Sequence, residues 1–308
     1  MMDGAFRIGA LAVAGALVLA TTVHAEVLQV AGAYPADSDA AAAMNTIAIE
    51  AFGGPDGPDL AIRIEDALRG IEIDGQRYFR LVADVRDADG VLRGTAAAEI
   101  TRSRYSETRD RCAAKDDKGK CTERRKEEVR CTRRTIELVP NIRLITRGGD
   151  LAHAETQAET TQESRCEDNS SELRSPETVV REFSGRIAAR LRAALAPTWR
   201  RESIRVLEDR RGLSKEDGEQ FRNAVRLTKT DAGAACRQWQ AVADTNPSHG
   251  ATAFNIGLCD EAAGDLERAE QAYRRAAQLS RAGDISSAIR RIEGRRRAER
   301  QLKAHFRR

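Results

Sequence analysis

Along the first two thirds of the chain, apolar and polar positions alternate in short runs; in the last third the apolar positions recur at helical spacing. Thr46 to Phe52 puts Ile47 and Ile49 on one face and predicts a strand, broken by Gly53-Gly54-Pro55-Asp56-Gly57-Pro58. Leu60, Ile64, Ala67 and Leu68 then line one side of a helix over 59–70, with Asp59 as its cap and Gly70 as its end. Tyr78 to Val85 predicts a second strand, and Asp89-Gly90 a turn into a long third strand over 91–109. Val129 to Arg147 and Leu151 to Cys166 are two more extended runs. Glu177 to Ala196 carries Val180, Phe183, Ile187, Leu191 and Ala194 on one helical stripe, between a Ser175-Pro176 start and a Pro197 stop. A short strand over 202–208 follows. From Ser214 onward the pattern is helical, with caps at Ser214, Asp231, Ser248, Asp265 and Asp284. The predicted fold is α+β: a mixed or mostly antiparallel sheet with two helices, then an all-α array.

Six cysteines punctuate this pattern, and no two are spaced C-x-x-C, so a zinc site is not indicated. An even number of cysteines predicts disulfides wherever the compartment is oxidising, with 15 connectivities open. Cys112 and Cys121 flank the polar turn Asp116–Lys120. Pairing the two extended runs antiparallel about Gly148-Gly149 sets Cys131 opposite Cys166, at a spacing a disulfide can bridge. Pro140 cannot donate to a ladder and predicts a bulge or an edge strand, which would shift that register by one.

In residues 250–279, Ile256-Gly257, the turn Gly264-Asp265-Leu266, and Ala269, Tyr273 and Ala276 resemble a tetratricopeptide repeat; Ala253 and Asp260 depart from the aromatic-rich pattern. Ala235, Trp239 and Val242 fall 34 residues earlier, with Pro247 closing a degenerate repeat over 216–249, and 284–306 is read as a capping helix. The resemblance implies stacked helical hairpins and a partner groove lined by Ala251, Phe254, Leu258, Glu261 and Ala262, open to an extended peptide or packed against the first domain. It also sets Cys236 beside Cys259, where a bond would staple the two repeats. The strands IAIEAF and YFRLV, Gly94-Thr95, the paired strands around IRLITRGGDLAHAET and the helix REFSGRIAARLRAALAP resemble the α/β domain of the curli secretion component and of the amino-terminal part of Tol protein B. That resemblance implies an envelope interaction domain without catalysis.

The opening of the chain adds an address. Arg7, the apolar run Ile8–Ala20 and Val23-His24-Ala25 have the layout of a secretory signal peptide, and the run is shorter than the roughly 20 residues a membrane span needs. The expected organisation is therefore a signal peptide at 1–25, a flexible leader at 26–43, an α/β envelope domain at 44–210 and a helical domain at 214–308. The chain has 308 residues, 32% of them charged and 4% aromatic, which excludes a polytopic membrane protein. Its net charge of +3 conceals segregation: −8 over 26–100, +6 over 101–150 and +7 over 281–308. No glycine-rich phosphate loop or positioned carboxylate pair stands out, so no catalytic residue, metal or cofactor is expected. The basic tail would suit nucleic acid only in the cytoplasm; for an exported chain no nucleic acid is expected, and an anionic envelope surface is a further candidate partner. The expected function is a periplasmic interaction protein whose partner is an envelope protein or extended peptide, with no membrane span after signal cleavage. The alternative is a binder of anionic envelope glycan or lipopolysaccharide through the arginine-rich 102–134 stretch. A hydrolase using scattered carboxylates and His153 has least support.

Overall fold

The computed structural model describes residues 26–73, 75–169 and 172–306; the expected signal peptide lies outside them. The chain forms a mixed six-stranded sheet, two separate two-stranded ribbons and eight α-helices among the described residues. In chain order the elements are β1 (Val27–Tyr34), α1 (Asp39–Ala42), β2 (Thr46–Ile49), α2 (Gly57–Arg69), β3 (Glu72–Ile73), β4 (Gln76–Arg77), β5 (Arg80–Val82), β6 (Gly90–Lys115), β7 (Cys121–Thr146), β8 (Leu151–Glu155), β9 (Glu159–Cys166), α3 (Pro176–Leu195) and β10 (Thr198–Arg205). The remainder is helical: α4 (Lys215–Leu227), α5 (Ala232–Thr245), α6 (Gly250–Ala262), α7 (Leu266–Leu279) and α8 (Gly283–Phe306).

The main sheet runs β5-β2-β6-β7-β8, with β9 also on β7. β2 lies parallel to β5 and β6, and the other pairings are antiparallel. Alternation sends the even-numbered side chains Leu92, Ala96, Ile136, Leu138, Ile142 and Leu144 to one face, where they meet Leu60, Ile64 and Leu68 of α2 and Phe183, Ile187 and Leu191 of α3. α2 starts two residues before the predicted cap: Asp56 holds the N-cap position, with its carboxylate accepting from the Ala98 amide at 2.7 Å, and Pro58 fills the first turn. The expected strand over 78–85 is broken up because Tyr78 and Phe79 are both buried, which a strand facing core on one side cannot accommodate.

The turn between β7 and β8 is one residue longer than the two-residue turn expected. Thr146 and Asp150 close it, with Gly149 at φ 93° supplying the left-handed residue. Register near the turn is therefore Ile145 opposite Leu151; a bulge before Leu144 corrects it, and Cys131 arrives opposite Cys166. Pro140 faces Ala96 on one side, while on the other β8 ends opposite Ile142 and β9 begins opposite Leu138. The ladder is thus interrupted where proline has no N–H to give.

Residues 26–43 are not a flexible leader. β1 pairs antiparallel with β10 over all eight residues, and its Leu28 and Val30 are buried with Phe254, Leu258, Tyr273 and Ile292 in a second core. Helix α1 follows, capped by Ser38. The short strand predicted over 202–208 lies earlier, as β10, because Val206 turns inward to that second core. Two buried side-chain amides hold the flanking backbone as a neighbouring strand would. Asn255 exchanges two 2.9 Å bonds with Leu207, and Gln301 exchanges bonds of 2.9 and 3.1 Å with Ala36.

Helix α8 does more than cap its neighbours. Over its length of about 36 Å its first half buries Ile285, Ala288 and Ile292 beside α7, and Leu302 and His305 reach the first core. His305 stacks on Tyr78 with ring centroids 3.8 Å apart, and both rings' polar atoms address the Ala42 carbonyl. The boundary expected near 210–214 is therefore bridged twice, by β1 and by α8.

Candidate interaction surfaces

The face of α6 expected to take a partner is already occupied. Ala251, Phe254, Leu258 and Glu261 are buried, Ala262 is exposed, and β1 packs against α6 while arginines of α8 reach Glu261. Glu261, with no exposed surface, accepts from Arg291 Nε at 2.8 Å and Nη2 at 2.7 Å, from Arg295 Nη1 at 3.2 Å and from the Tyr273 hydroxyl at 2.7 Å. Arg295 also donates to Ala31 of β1 at 2.9 Å, so one ionic network joins α6, α7, α8 and β1. Burial pushes the Glu261 carboxyl up, but the Arg291 guanidinium and the Tyr273 hydroxyl outweigh it and hold it below the usual carboxylate range. Burial and the Glu261 charge push the Tyr273 hydroxyl upward. Gly257 permits the packing: a Cβ there would come within 2.7 Å of the Tyr273 ring.

The cysteines form three pairs at bonding distance, Cys112–Cys121, Cys131–Cys166 and Cys236–Cys259, with no free cysteine. Such pairs fit an oxidising compartment. The first two brace the feature that projects from the body. β6 and β7 each run 26 residues, roughly 85 Å if fully extended, and beyond the end of β9 they form a two-stranded ribbon exposed on both faces. We call this ribbon the arm. It reaches further than the sequence indicated, since 110–115 and 121–128 are also strand.

At the arm's base, Val129, Tyr105 and the Cys131–Cys166 pair make a small apolar cluster, with Arg133 stacked over the Tyr105 ring. Asp168 bridges Arg109 and Arg111 at 2.9 and 2.6 Å. Near its tip, Cys112–Cys121 closes a turn in which Asp116 accepts from the amides of Lys118 and Lys120. On the face that carries the even-numbered residues of β6 and β7, Arg102, Arg104 and Arg130 cluster with Arg165 of β9, opposite Thr132, beside a shallow basin that also includes Leu173. Arg130 meets Glu167 at 3.1 Å, whereas Arg102, Arg104 and Arg165 have no carboxylate partner among the described residues. Like charges on neighbouring strands cost stability, so the sheet holds this cluster at a price.

The chemical candidates do not assemble. Glu107 lies near Cys131 and Cys166, but both sulfurs are in a disulfide and offer no thiolate to a metal. His153 sits on β8 with Nε2 buried and without a hydrogen-bond partner, and no carboxylate or hydroxyl pairs with it among the described residues. No helix among the described residues is long and apolar enough to cross a membrane. The strand predicted over 202–208 left out the first half of β10, with Trp199, which is 74% exposed; the run TWRRESIR carried a period-2 signal, but with only one inward apolar residue, Ile204.

No protein-family model matches the chain, and no curated protein matches it. Among solved structures, a PelC dodecamer from Paraburkholderia phytofirmans is similar over 54% of this chain and 98% of its own, at 16% identity and a TM-score of 0.20. A likeness of that size carries neither fold nor function to this chain.

Proposed function

We propose that this is an exported, non-catalytic interaction protein of the cell envelope, delivered to the periplasm by residues 1–25 and contacting its partner through the β6–β7 arm. The arm carries the reading. A two-stranded ribbon buries too little to be stable alone, and this one is braced at tip and base by disulfides while both its faces stay free. The helices α4–α7, read as two tetratricopeptide-like hairpins, serve as scaffold, because β1 fills the face such repeats present to peptides. Replacing Arg109–Glu127 by Asn-Gly between the opposed residues Thr108 and Glu128 shortens the arm and keeps its register. The shortened protein should melt within a few degrees of the parent and lose the partner that the parent captures from envelope extracts. Undiminished capture would refute the assignment.

The arginine cluster favours a second reading, in which the three-stranded region at the foot of the arm takes an anionic envelope glycan. Binding would then weaken steeply between low and high salt and fall when Arg102, Arg104 and Arg165 are replaced by serine. Salt-independent binding would exclude it.

A further inference from the structure

Away from the arm in sequence and sheet, β10 has one strand neighbour and one free edge. Val206 donates to the Glu26 carbonyl, and bonded pairs in an antiparallel ladder recur every second residue. In the observed register Ile204, Glu202 and Arg200 therefore exchange their bonds with β1, while Trp199, Arg201, Ser203 and Arg205 turn N–H and C=O outward. The Ala31 carbonyl supports this phase: Ala31 faces Arg201, and its oxygen points away from β10 to Arg295. β1 is thus covered on its outer side by α8, whereas β10 makes no backbone hydrogen bond on its outer side among the described residues. The edge is regular over eight residues, without proline or bulge.

The side chains beside that edge have a definite chemistry. Trp199, Arg201, Ser203 and Arg205 share the exposed face of the ribbon. At the Trp199 end is a notch of about 330 Å³ with apolar walls from Ile71, Ile73, Pro197, Trp199 and Leu302, lined as well by one acidic and one basic side chain, Glu72 and Arg192. Arg201 and Arg205 make the other end basic, and neither meets a carboxylate on that face: the one ion pair, Arg205 with Glu208 at 3.3 Å, lies beyond the strand. Charged side chains on an edge keep it from pairing with itself, and two copies of β10 would set arginine near arginine. The same charges leave the edge open to a strand of opposite sign.

We propose that β10 accepts an extended acidic segment of a partner protein as a third strand of the β1–β10 ribbon. The segment places a bulky apolar residue in the notch beside Trp199 and carboxylates opposite Arg201 and Arg205. Main-chain bonds to the four outward residues provide attachment, and the notch and arginines provide selection. This surface is separate from the arm and stands or falls independently of it.

The test is residue-resolved amide exchange on the oxidised mature protein, with a capped peptide of alternating glutamate and valine carrying a leucine at each end. At nine-tenths occupancy, an amide that exchanges only from the free state slows about tenfold. The amides of Trp199, Arg201, Ser203 and Arg205 should slow by that factor, while those of Arg200, Glu202 and Ile204 keep their rates. Trp199 emission should shift to shorter wavelength. Ser203→Pro removes one outward N–H without touching the bonds to β1 and should abolish the effect, whereas Ser203→Ala should retain it. The double variant Arg201→Glu, Arg205→Glu should instead favour the same peptide with lysine for glutamate. The proposal fails if the acidic peptide leaves the four amides unchanged, if it slows odd and even amides alike, or if the lysine peptide acts equally on the parent. It also fails if the four amides are already protected without peptide in proportion to protein concentration, which would assign the edge to a second copy.

Discussion

Removing the Glu261 carboxylate by Glu261→Ala should be among the most destabilising single changes available in the helical half. The side chain is fully buried and carries four donors from three residues, two of them the guanidinium groups of Arg291 and Arg295, themselves nearly buried. Without the carboxylate, two cations remain in the interior with no counter-charge. Breaking a buried ionic network in this way costs about 3–5 kcal/mol, a large fraction of the roughly 5–15 kcal/mol a folded protein has. Glu261→Gln preserves shape and one acceptor and should cost less; Tyr273→Phe loses one bond to a charged group, about 1.5–3 kcal/mol. Urea unfolding followed by emission of the buried Trp239 measures each loss, because the other tryptophan, Trp199, is already exposed. The network also has a pH signature. The folded carboxyl binds its proton less tightly than an ordinary glutamate, whose pKa is 4.5. Its stabilisation is therefore complete above that value and is lost as pH falls through the lower folded value. The parent should accordingly lose more stability than Glu261→Gln on acidification below about pH 4.5. A Glu261→Ala protein within about 0.5 kcal/mol of the parent, or equal acid sensitivity of parent and Glu261→Gln, would refute the reasoning.

Three other changes probe the packing. Gly257→Ala forces a methyl group into the Tyr273 ring and should cost about 1–3 kcal/mol by overpacking, read by the same urea titration. Replacing Cys131 and Cys166 together by serine opens a link between residues 35 apart and should cost about 2–4 kcal/mol; limited proteolysis should then cut first at the base of the arm. His305→Ala removes the ring stacked on Tyr78, and two unfolding transitions should replace one as the bridge between the cores loosens; a single unshifted transition would deny α8 that role.

What the sequence made legible was whatever one buried face imposes on a chain. The stripe of α3 and the alternation through Leu92, Ile136, Leu138 and Ile142 face a core, and hydrophobic periodicity announces it. Cys131 opposite Cys166 was legible through two features whose effects on register cancel, a turn one residue longer than expected and a bulge one residue deep. The outer arm was underestimated because both its faces meet solvent, so Thr122–Glu128 has no apolar alternation to read. β1 was missed because its partner lies about 170 residues away and its covering helices later still. Of the candidate groove, sequence identified the apolar surface of α6 but not its occupant. Neither Leu28 nor Val30 carries a mark that says it docks on Phe254 and Leu258.

The most direct test of the account places a photo-activated cross-linker at single positions in the oxidised protein within envelope extracts: Asp110 and Arg124 on the arm, and Ala262 on the exposed end of α6. The arm positions should trap one and the same partner and Ala262 none. A partner trapped at Ala262 and at neither arm position would contradict the account and return the binding surface to the helices.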